Sequence, residues 1–306
     1  MNVSSRLNRR TVATASAAGA ALLTLGAWLR QTPTAQAAPS TLPPMKGPAP
    51  ALFIGHGSPM NAIQNNRFTR TLTQWGETLG RPKAILMVSA HWLTDRDTRV
   101  ATTAKPELIY DFGGFPPPLY EVQYPAPGAP AQAQGAARRL APRIVGQDPA
   151  RGLDHGAWTV LKHLYPAADV PVFQLSIDIT REGAFHVAMG RALSALRGEG
   201  VMVVGSGNVV HNLGILDRDA GETERASAGW AQGFDDAVKA AMDAGDAPAL
   251  AKWEGLSAGA RTAVPFPDHY FPMLYALGAA QAGEKPRHVF EGFHEGTLSM
   301  RCVQWG

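Results

Sequence analysis

Ala51-Leu52-Phe53-Ile54-Gly55-His56-Gly57-Ser58-Pro59-Met60 decides how this chain is read: an apolar run with the character of a buried strand breaks into a glycine-flanked turn that carries a histidine. Two later segments repeat the arrangement. Ala84–Trp92 (AILMVSAHW) ends its apolar run in His91, and Val201–Asn212 (VMVVGSGNVVHN) ends in His211. In an open α/β sheet, ligands bind beyond the carboxyl ends of the strands, where loops hold side chains over the sheet edge. The expected fold is therefore a single α/β domain with a central mostly parallel or mixed sheet flanked by helices, and a metal site at the carboxyl ends of its strands.

Composition is consistent with one large domain, with 306 residues and 45% hydrophobic content. The formal charge of +3 does not point to a polyanionic partner. Arg6, Arg9, Arg10 and Arg30 supply the excess; removing residues 1–37 takes away four of 28 basic residues and none of 25 acidic ones, which leaves −1. Nucleic acid is excluded as a partner on that count. Cys302 is the only cysteine, so an intramolecular disulfide is impossible and a buried, small apolar role is expected.

Residues 1–37 have the form of an export signal. Asn8-Arg9-Arg10-Thr11 sets a twin arginine before a weakly apolar run, Val12–Leu29, and Ala35-Gln36-Ala37 supplies a small-residue cleavage site. The run is rich in Ala, Gly and Thr, which suits a twin-arginine signal better than a membrane span, so the mature protein is expected in the periplasm or another exported compartment with no membrane contact. That route carries folded cargo and permits a metal to be loaded beforehand. Residues 38–50 read as a proline-rich linker, and residues 51–306 as the catalytic domain.

Within the domain, the spacing of Phe68, Leu72, Trp75 and Leu79 predicts a helix over Arg67–Leu79, followed by a strand over Ala84–Ser89 and a short one over Thr98–Thr103. Lys105–Pro130 is a long loop rich in glycine and proline, of the kind that forms lids or binding walls. A helix is expected over Ala131–Leu140, a strand over Ile144–Gln147, a helix after Asp154-His155-Gly156 and a central strand over Val172–Ile177. Glu182–Leu196 should be helical, Val201–Gly205 a strand, Gly214–Gly255 largely helical, and Ser299–Trp305 a last strand. Pro265-Phe266-Pro267-Asp268-His269-Tyr270 should open a helix through Ala280, with its prolines in the first turn.

Nine histidines occur, and His56, His91, His155, His211 and His269 alone stand in turns beside strand ends or helix starts. His163 and His186 fall within helical patterns, and His288 and His294 near the last strands are expected to be structural. There is no HExxH, no Gly-x-Ser-x-Gly and no phosphate loop, which leaves a metal held by imidazoles from separate strands. Imidazole suits Zn, Fe, Cu or Ni alike.

GHGSPM around His56, SAHW around His91, Asp111-Phe112-Gly113-Gly114-Phe115-Pro116, Asp154-His155-Gly156, GSGNVVHN around His211 and Asp268-His269-Tyr270 together resemble the 4,5-DOPA extradiol dioxygenase family of the class III extradiol ring-cleaving dioxygenases. The resemblance spans Ala51 to Trp305. It implies a non-haem Fe(II) site, or a zinc-loaded form after purification, that takes a small aromatic diol and O2 and cuts the ring beside the diol. It implies His56, His91 and His269 as metal ligands, His211 as a fourth imidazole or a catalytic base, and His155 in proton transfer. One imidazole acting as base and another as acid near neutral pH matches that chemistry, because the catechol must lose protons and O–O cleavage needs one. Asp154 is either the orienter of His155 or the N-cap of the following helix. Tyr110, Phe112, Phe115 and Tyr120 are candidates for an aromatic wall. Two other functions use the same histidines: a zinc hydrolase with a metal-bound hydroxide, and a non-catalytic metal- or phenol-binding protein on this fold.

Overall fold

The computed structural model describes residues 40–306; the expected export signal lies outside the described residues. Six strands form the main sheet: β1 (Ala51–Gly55), β2 (Ala84–Ser89), β3 (Val172–Gln174), β4 (Val201–Gly207), β5 (Arg287–Phe290) and β6 (Cys302–Trp305). Their order is β5-β6-β1-β4-β2-β3, with β1, β4, β2 and β3 parallel, β6 antiparallel to β1, and β5 antiparallel to β6 and so running in the direction of β1. This is the mixed sheet the apolar runs imply.

All residues of β1, β2 and β4 are buried, because each face of the sheet has its own core. Phe53, Leu86, Val88 and Val203 point to one side, against helices α2 (Pro130–Arg139), α4 (Gly183–Leu193), α5 (Gly229–Ala244) and α6 (Phe271–Ala279). Leu52, Ile54, Met87 and Val204 point to the other, against α1 (Arg67–Leu79) and α3 (His155–Leu164). Each such side chain contributes about 1.5–3 kcal/mol on burial, so a strand with two apolar faces is stable only at the centre of this sandwich. At the far end of the sheet the wholly buried Arg197 bonds the carbonyls of Ala49 and Ala279 and pairs with Glu284, tying the entry to β1 to the end of α6.

α1 covers the expected residues. Asn66 and Thr69 form a reciprocal capping box at its start, and Gly80, with φ of 74°, takes the chain out of it. Asp154 caps α3 through the Ala157 amide. Elsewhere the boundaries move for identifiable reasons. The strand expected over Val172–Ile177 leaves the main sheet after Gln174: Leu175 N still bonds Met87 O, but Ser176 N bonds Arg99 O, and Ile177–Asp178 pairs with Leu93–Thr94 instead. The helix expected from Pro265 starts at Phe271, with Pro272 in its first turn; Pro265 and Pro267 belong to the turn ahead of it. Gly214–Gly255 becomes helical only from Gly229, the part before it including Glu222–Thr223, which pairs with Phe293–His294. Ser299–Trp305 is interrupted at Met300–Arg301, and only Cys302–Trp305 joins the main sheet. The proline-rich stretch read as a linker lies against the domain, with Pro43 and Met45 hydrogen-bonded to Arg81 and Ala49 to Arg197. Cys302 is buried and free. Among the described residues no helix is long and apolar enough to cross a membrane.

β4 ends in Gly205-Ser206-Gly207 because α6 and the turn before it lie directly on its backbone. A Cβ on Gly205 would strike the Pro272 carbonyl, and one on Gly207 the His269 carbonyl. Gly205→Ala should therefore lower unfolding free energy by roughly 2–3 kcal/mol, measured by urea denaturation. Gly233→Ala, at an exposed α5 position with open space around it, should raise it by about 0.5–1 kcal/mol. Equal effects at the two positions would contradict this account.

Candidate metal centre

Parallel register aligns the strand ends: Gly55 pairs with Gly207, and Ser89 with Ser206. The turns leaving β1, β2 and β4 consequently converge. His56 follows β1 directly, its amide continuing the ladder to Gly207 O at 3.0 Å. Its Nδ1 lies 3.0 Å from Ser206 Oγ, and that hydroxyl donates its only proton to Gly156 O at 2.6 Å. Ser206 can then only accept from His56, which puts the ring proton on Nδ1 and leaves Nε2 as a bare lone pair.

His91 is held through its backbone. Its amide donates to Ser89 Oγ at 3.3 Å, and its carbonyl accepts from Arg151 at 3.2 Å. Asp154, wholly buried, binds both of those partners, at 2.6 Å and 2.7 Å, as well as Gln174 at 2.8 Å. Of its two expected roles Asp154 fills the N-cap; in the structure it serves the His91 turn, and the carboxylate beside the His155 ring is Asp111. Asp111 Oδ1 accepts the His155 amide at 3.0 Å and lies 3.0 Å from His155 Nδ1, while Oδ2 lies 3.2 Å from His91 Nδ1. His269 is seated similarly, with Asp268 Oδ1 accepting its amide at 2.7 Å and lying 3.0 Å from its Nδ1. Asn208 secures the whole edge: its amide donates to His269 O at 2.9 Å, its side chain donates to Ser299 O at 2.7 Å and accepts from Gly57 N at 3.3 Å.

All five histidines singled out in the sequence come together. The ring centroids of His56, His91 and His269 form a nearly equilateral triangle with sides of 5.0, 5.0 and 5.2 Å. His56 Nε2 and His91 Nε2 face each other at 3.1 Å. His155 lies 3.9 Å from His91, and His211 is stacked flat on His269 at 3.4 Å. Potential ligand atoms fall into two groups, His56 with His91 and His155, and His211 with Asp268 and His269. The trio expected from the family resemblance is thus shared between the two, and His155 stands as close to the first pair as His269 does. Of the remaining histidines, His163 bonds Asn61 O, His186 faces the Tyr275 hydroxyl, His288 bridges Asp243 and Arg301, and His294 packs on Phe68.

Burial first, then repulsion from neighbouring imidazoles, holds His56 and His269 well below the ordinary histidine range. Burial is also the main cause at His91 and His211, each lowered to about 4 against the pull of nearby carboxylates. Asp111 is lowered too: burial resists its ionisation, but the His155 hydrogen bond and charge bring it down to about 2. At neutral pH His56, His91, His211 and His269 are therefore uncharged, with an ionised carboxylate behind His91. Neutral imidazole is the form that binds a metal, and the bare, buried Nε2 of His56 lacks any protein N–H or O–H donor unless His91 supplies one. The residues fit a divalent ion of the Fe or Zn type.

Phe112 is the member of the aromatic loop that reaches the site, edge-on to His155 at 5.5 Å, with Phe115 and Tyr120 packed on it at 5.4 and 5.3 Å. Tyr110 turns instead to Trp158, and its hydroxyl bonds Val122 O. Asp111, Arg151, Ser206 and Asn208 are the supporting residues that sequence reasoning does not single out. Asp111 and Ser206 lie inside the quoted motifs, but nothing in their spacing shows which ring each one serves.

The buried rings make the metal-free protein sensitive to acid. His91, His186 and His211 titrate near 4 in the folded protein and near 6.5 when exposed by unfolding. Between those values the unfolded chain binds more protons, so stability rises with pH across that window and levels off above it. The denaturant midpoint of the metal-free protein should fall steadily from pH 7 to pH 4.5; a flat profile would contradict the burial of neutral rings.

Comparisons with known proteins agree with this geometry. The profile of the family described as "Catalytic LigB subunit of aromatic ring-opening dioxygenase" matches residues 50–301. The chain is 45% identical over 269 residues to the 4,5-DOPA dioxygenase extradiol of Escherichia coli K12, covering 84% of this chain and 94% of the relative. It is 38% identical over 256 residues to the 4,5-DOPA dioxygenase extradiol of Beta vulgaris, covering 81% and 92%. A crystal structure of an uncharacterized protein from Escherichia coli K12 superposes with a TM-score of 0.73 at 42% identity, covering 84% of this chain and all of that one. With five imidazoles on one sheet edge and these similarities along nearly its whole described length, the chain belongs to the LigB family of extradiol ring-cleaving dioxygenases.

Proposed function

We propose that this enzyme is an Fe(II)-dependent extradiol dioxygenase for a small catechol of the DOPA type, exported as a folded protein by the twin-arginine signal. The observation that carries the reading is the convergence of five imidazoles at the carboxyl edge of one sheet, more than a structural ion needs. The relatives' names support DOPA as the model substrate. Family membership removes the support for a zinc hydrolase or a non-catalytic binding protein.

His56, His91 and His269 would hold the ion, with His211 as a fourth ligand or a base. When bound, Fe(II) supplies a Lewis acid for the catechol oxygens and the redox capacity to engage O2, which zinc lacks. The chain's own residues do the rest. Ser206 keeps His56 Nε2 free of a proton, and Asp154 fixes the His91 turn through Ser89 and Arg151. Phe112 borders His155 with an aromatic surface suited to a planar ring. His155 and His211, outside the proposed trio, are imidazoles close enough to take a hydroxyl proton and to return one as the ring opens.

The primary test is O2 uptake by the metal-stripped protein reloaded anaerobically with Fe(II), on addition of L-DOPA. Uptake with a yellow ring-opened product is expected; none with several catechols and iron verified as bound would refute the reading. His56→Ala and His91→Ala should lose metal and activity together, while His155→Ala should keep metal and lose at least 100-fold in turnover. His211→Ala should lose activity with partial metal retention, and full metal loss would make it a ligand. Ser206→Ala should weaken metal affinity by about 10–100-fold. Export is tested by fractionating cells that produce the full chain: Arg9→Lys with Arg10→Lys should retain it in the cytoplasm, and unchanged export would exclude that route.

A further inference from the structure

Asp111 touches two rings of the site at once, one that would hold the metal and one that would move protons. It sits on the long loop, next to Phe112, and neither of its oxygens is idle. Oδ2 is 3.2 Å from His91 Nδ1; Oδ1 is 3.0 Å from His155 Nδ1 and also accepts the His155 amide. The Oδ1 contact meets the His155 ring too obliquely for a hydrogen bond, and that buried Nδ1 has no other polar partner, so the carboxylate 3.0 Å away acts on it through its charge. Asp154, the other nearby carboxylate, is occupied by Ser89, Arg151, Gln174 and the α3 cap.

We infer that Asp111 is a positioning residue that selects the tautomer of both His91 and His155 and makes that selection depend on the seating of the aromatic loop. The roles of the two rings rest on the proposed function; the tautomer assignment does not. An ionised carboxylate only accepts hydrogen bonds. A neutral imidazole turned toward it by Nδ1 must carry its proton there, because the other tautomer would bring two lone pairs together. Each ring is thereby left with a bare Nε2: at His91 it faces His56 Nε2 and is free for an ion, and at His155 it is free to take a proton. One carboxylate thus prepares a ligand and a base in rings 3.9 Å apart.

The loop connection follows from adjacency. Asp111 approaches His155 at Nδ1 and at its backbone amide, and Phe112 approaches the same ring at 5.5 Å. Ahead of them, Ile109 is bonded on both sides, its amide to Leu153 O and its carbonyl to Trp158 Nε1. Behind them, Gly113 and Gly114 have open space around them, and Gly114 has φ of 78°. The loop is thus anchored before Asp111 through Ile109 and held after it by the packing of Phe112 on Phe115 and Tyr120, so the carboxylate and the aromatic wall are seated together.

The test replaces the carboxylate with an amide, which offers one acceptor oxygen instead of two. Long-range 15N–1H spectra of the zinc-loaded, 15N-labelled protein report which nitrogen of each ring carries the proton, with His155 assigned by comparison with His155→Gln. In the wild type His155 should be protonated on Nδ1. In Asp111→Asn, zinc on His91 Nε2 keeps that ring's proton on Nδ1, so His155 should convert to the Nε2–H form, and zinc affinity measured by chelator competition should fall up to 10–100-fold. Nε2–H on His155 in the wild type would overturn the inference, as would an Asp111→Asn protein with both tautomers and zinc affinity unchanged. If Asp111→Asn does not fold, the wild-type spectrum decides alone. Absence of O2 uptake by the iron-loaded enzyme would refute the proposed function and leave the tautomer result standing.

Discussion

The hydroxyl of Ser206 has one proton, and the arrangement of the site depends on where it goes. Given to Gly156 O, it makes Ser206 an acceptor toward His56, sets that ring's tautomer, and locks the first turn of α3 against the end of β4. Three segments far apart in sequence meet at this atom: the turn after β1, the end of β4 and the start of α3. A threonine would bring an extra methyl into a position with no exposure, and an alanine would leave two buried groups unsatisfied. The small residues on either side have the same origin, since Gly205 and Gly207 let the His269 turn and the start of α6 lie on the strand backbone.

The electrostatics of the site follow from crowding. Imidazoles so close cannot readily share positive charge, and burial discourages even one, so His56, His91, His211 and His269 stay neutral where an exposed histidine would be partly protonated. Polar supports compensate each ring without adding a proton: a hydroxyl at His56, Asp111 at His91 and His155, Asp268 at His269. The carboxylates lie behind the rings, where they raise imidazole basicity, and Phe112 of the long loop borders His155.

Much of this was legible in the sequence, and the particular residues show why. α1 and β2 came out with the expected limits because their signals are local: a helical apolar stripe between Asn66 and Gly80, and six apolar or small residues in succession. The five site histidines were legible from their places beside strand ends, the part of an α/β sheet where chemistry collects. Boundaries failed where a distant partner decides them, as at Ser176, whose amide goes to Arg99, and at Met300–Arg301, where the last strand is interrupted. The supporting residues were obscure for the same reason. Asp154 is adjacent to His155 in sequence yet acts on His91, and Asp111 reaches His155 across 44 positions; only the fold determines such pairings.

β6 is the last strand in the chain and an inner strand of the sheet, lying between β1 and β5. The segment leading into it supplies partners to the site's frame, Arg301 O to Gly55 N and Ser299 O to the Asn208 side chain. During synthesis, residues 51–56 are therefore made early and wait for partners made some 250 residues later. Until those arrive, β1 has an unpaired edge, and the His56 turn lacks the wall that defines its position. A fragment that stops before Ser299 would therefore carry all five of these histidines without the wall that seats the His56 turn, so their mutual geometry is set only once β6 has joined the sheet.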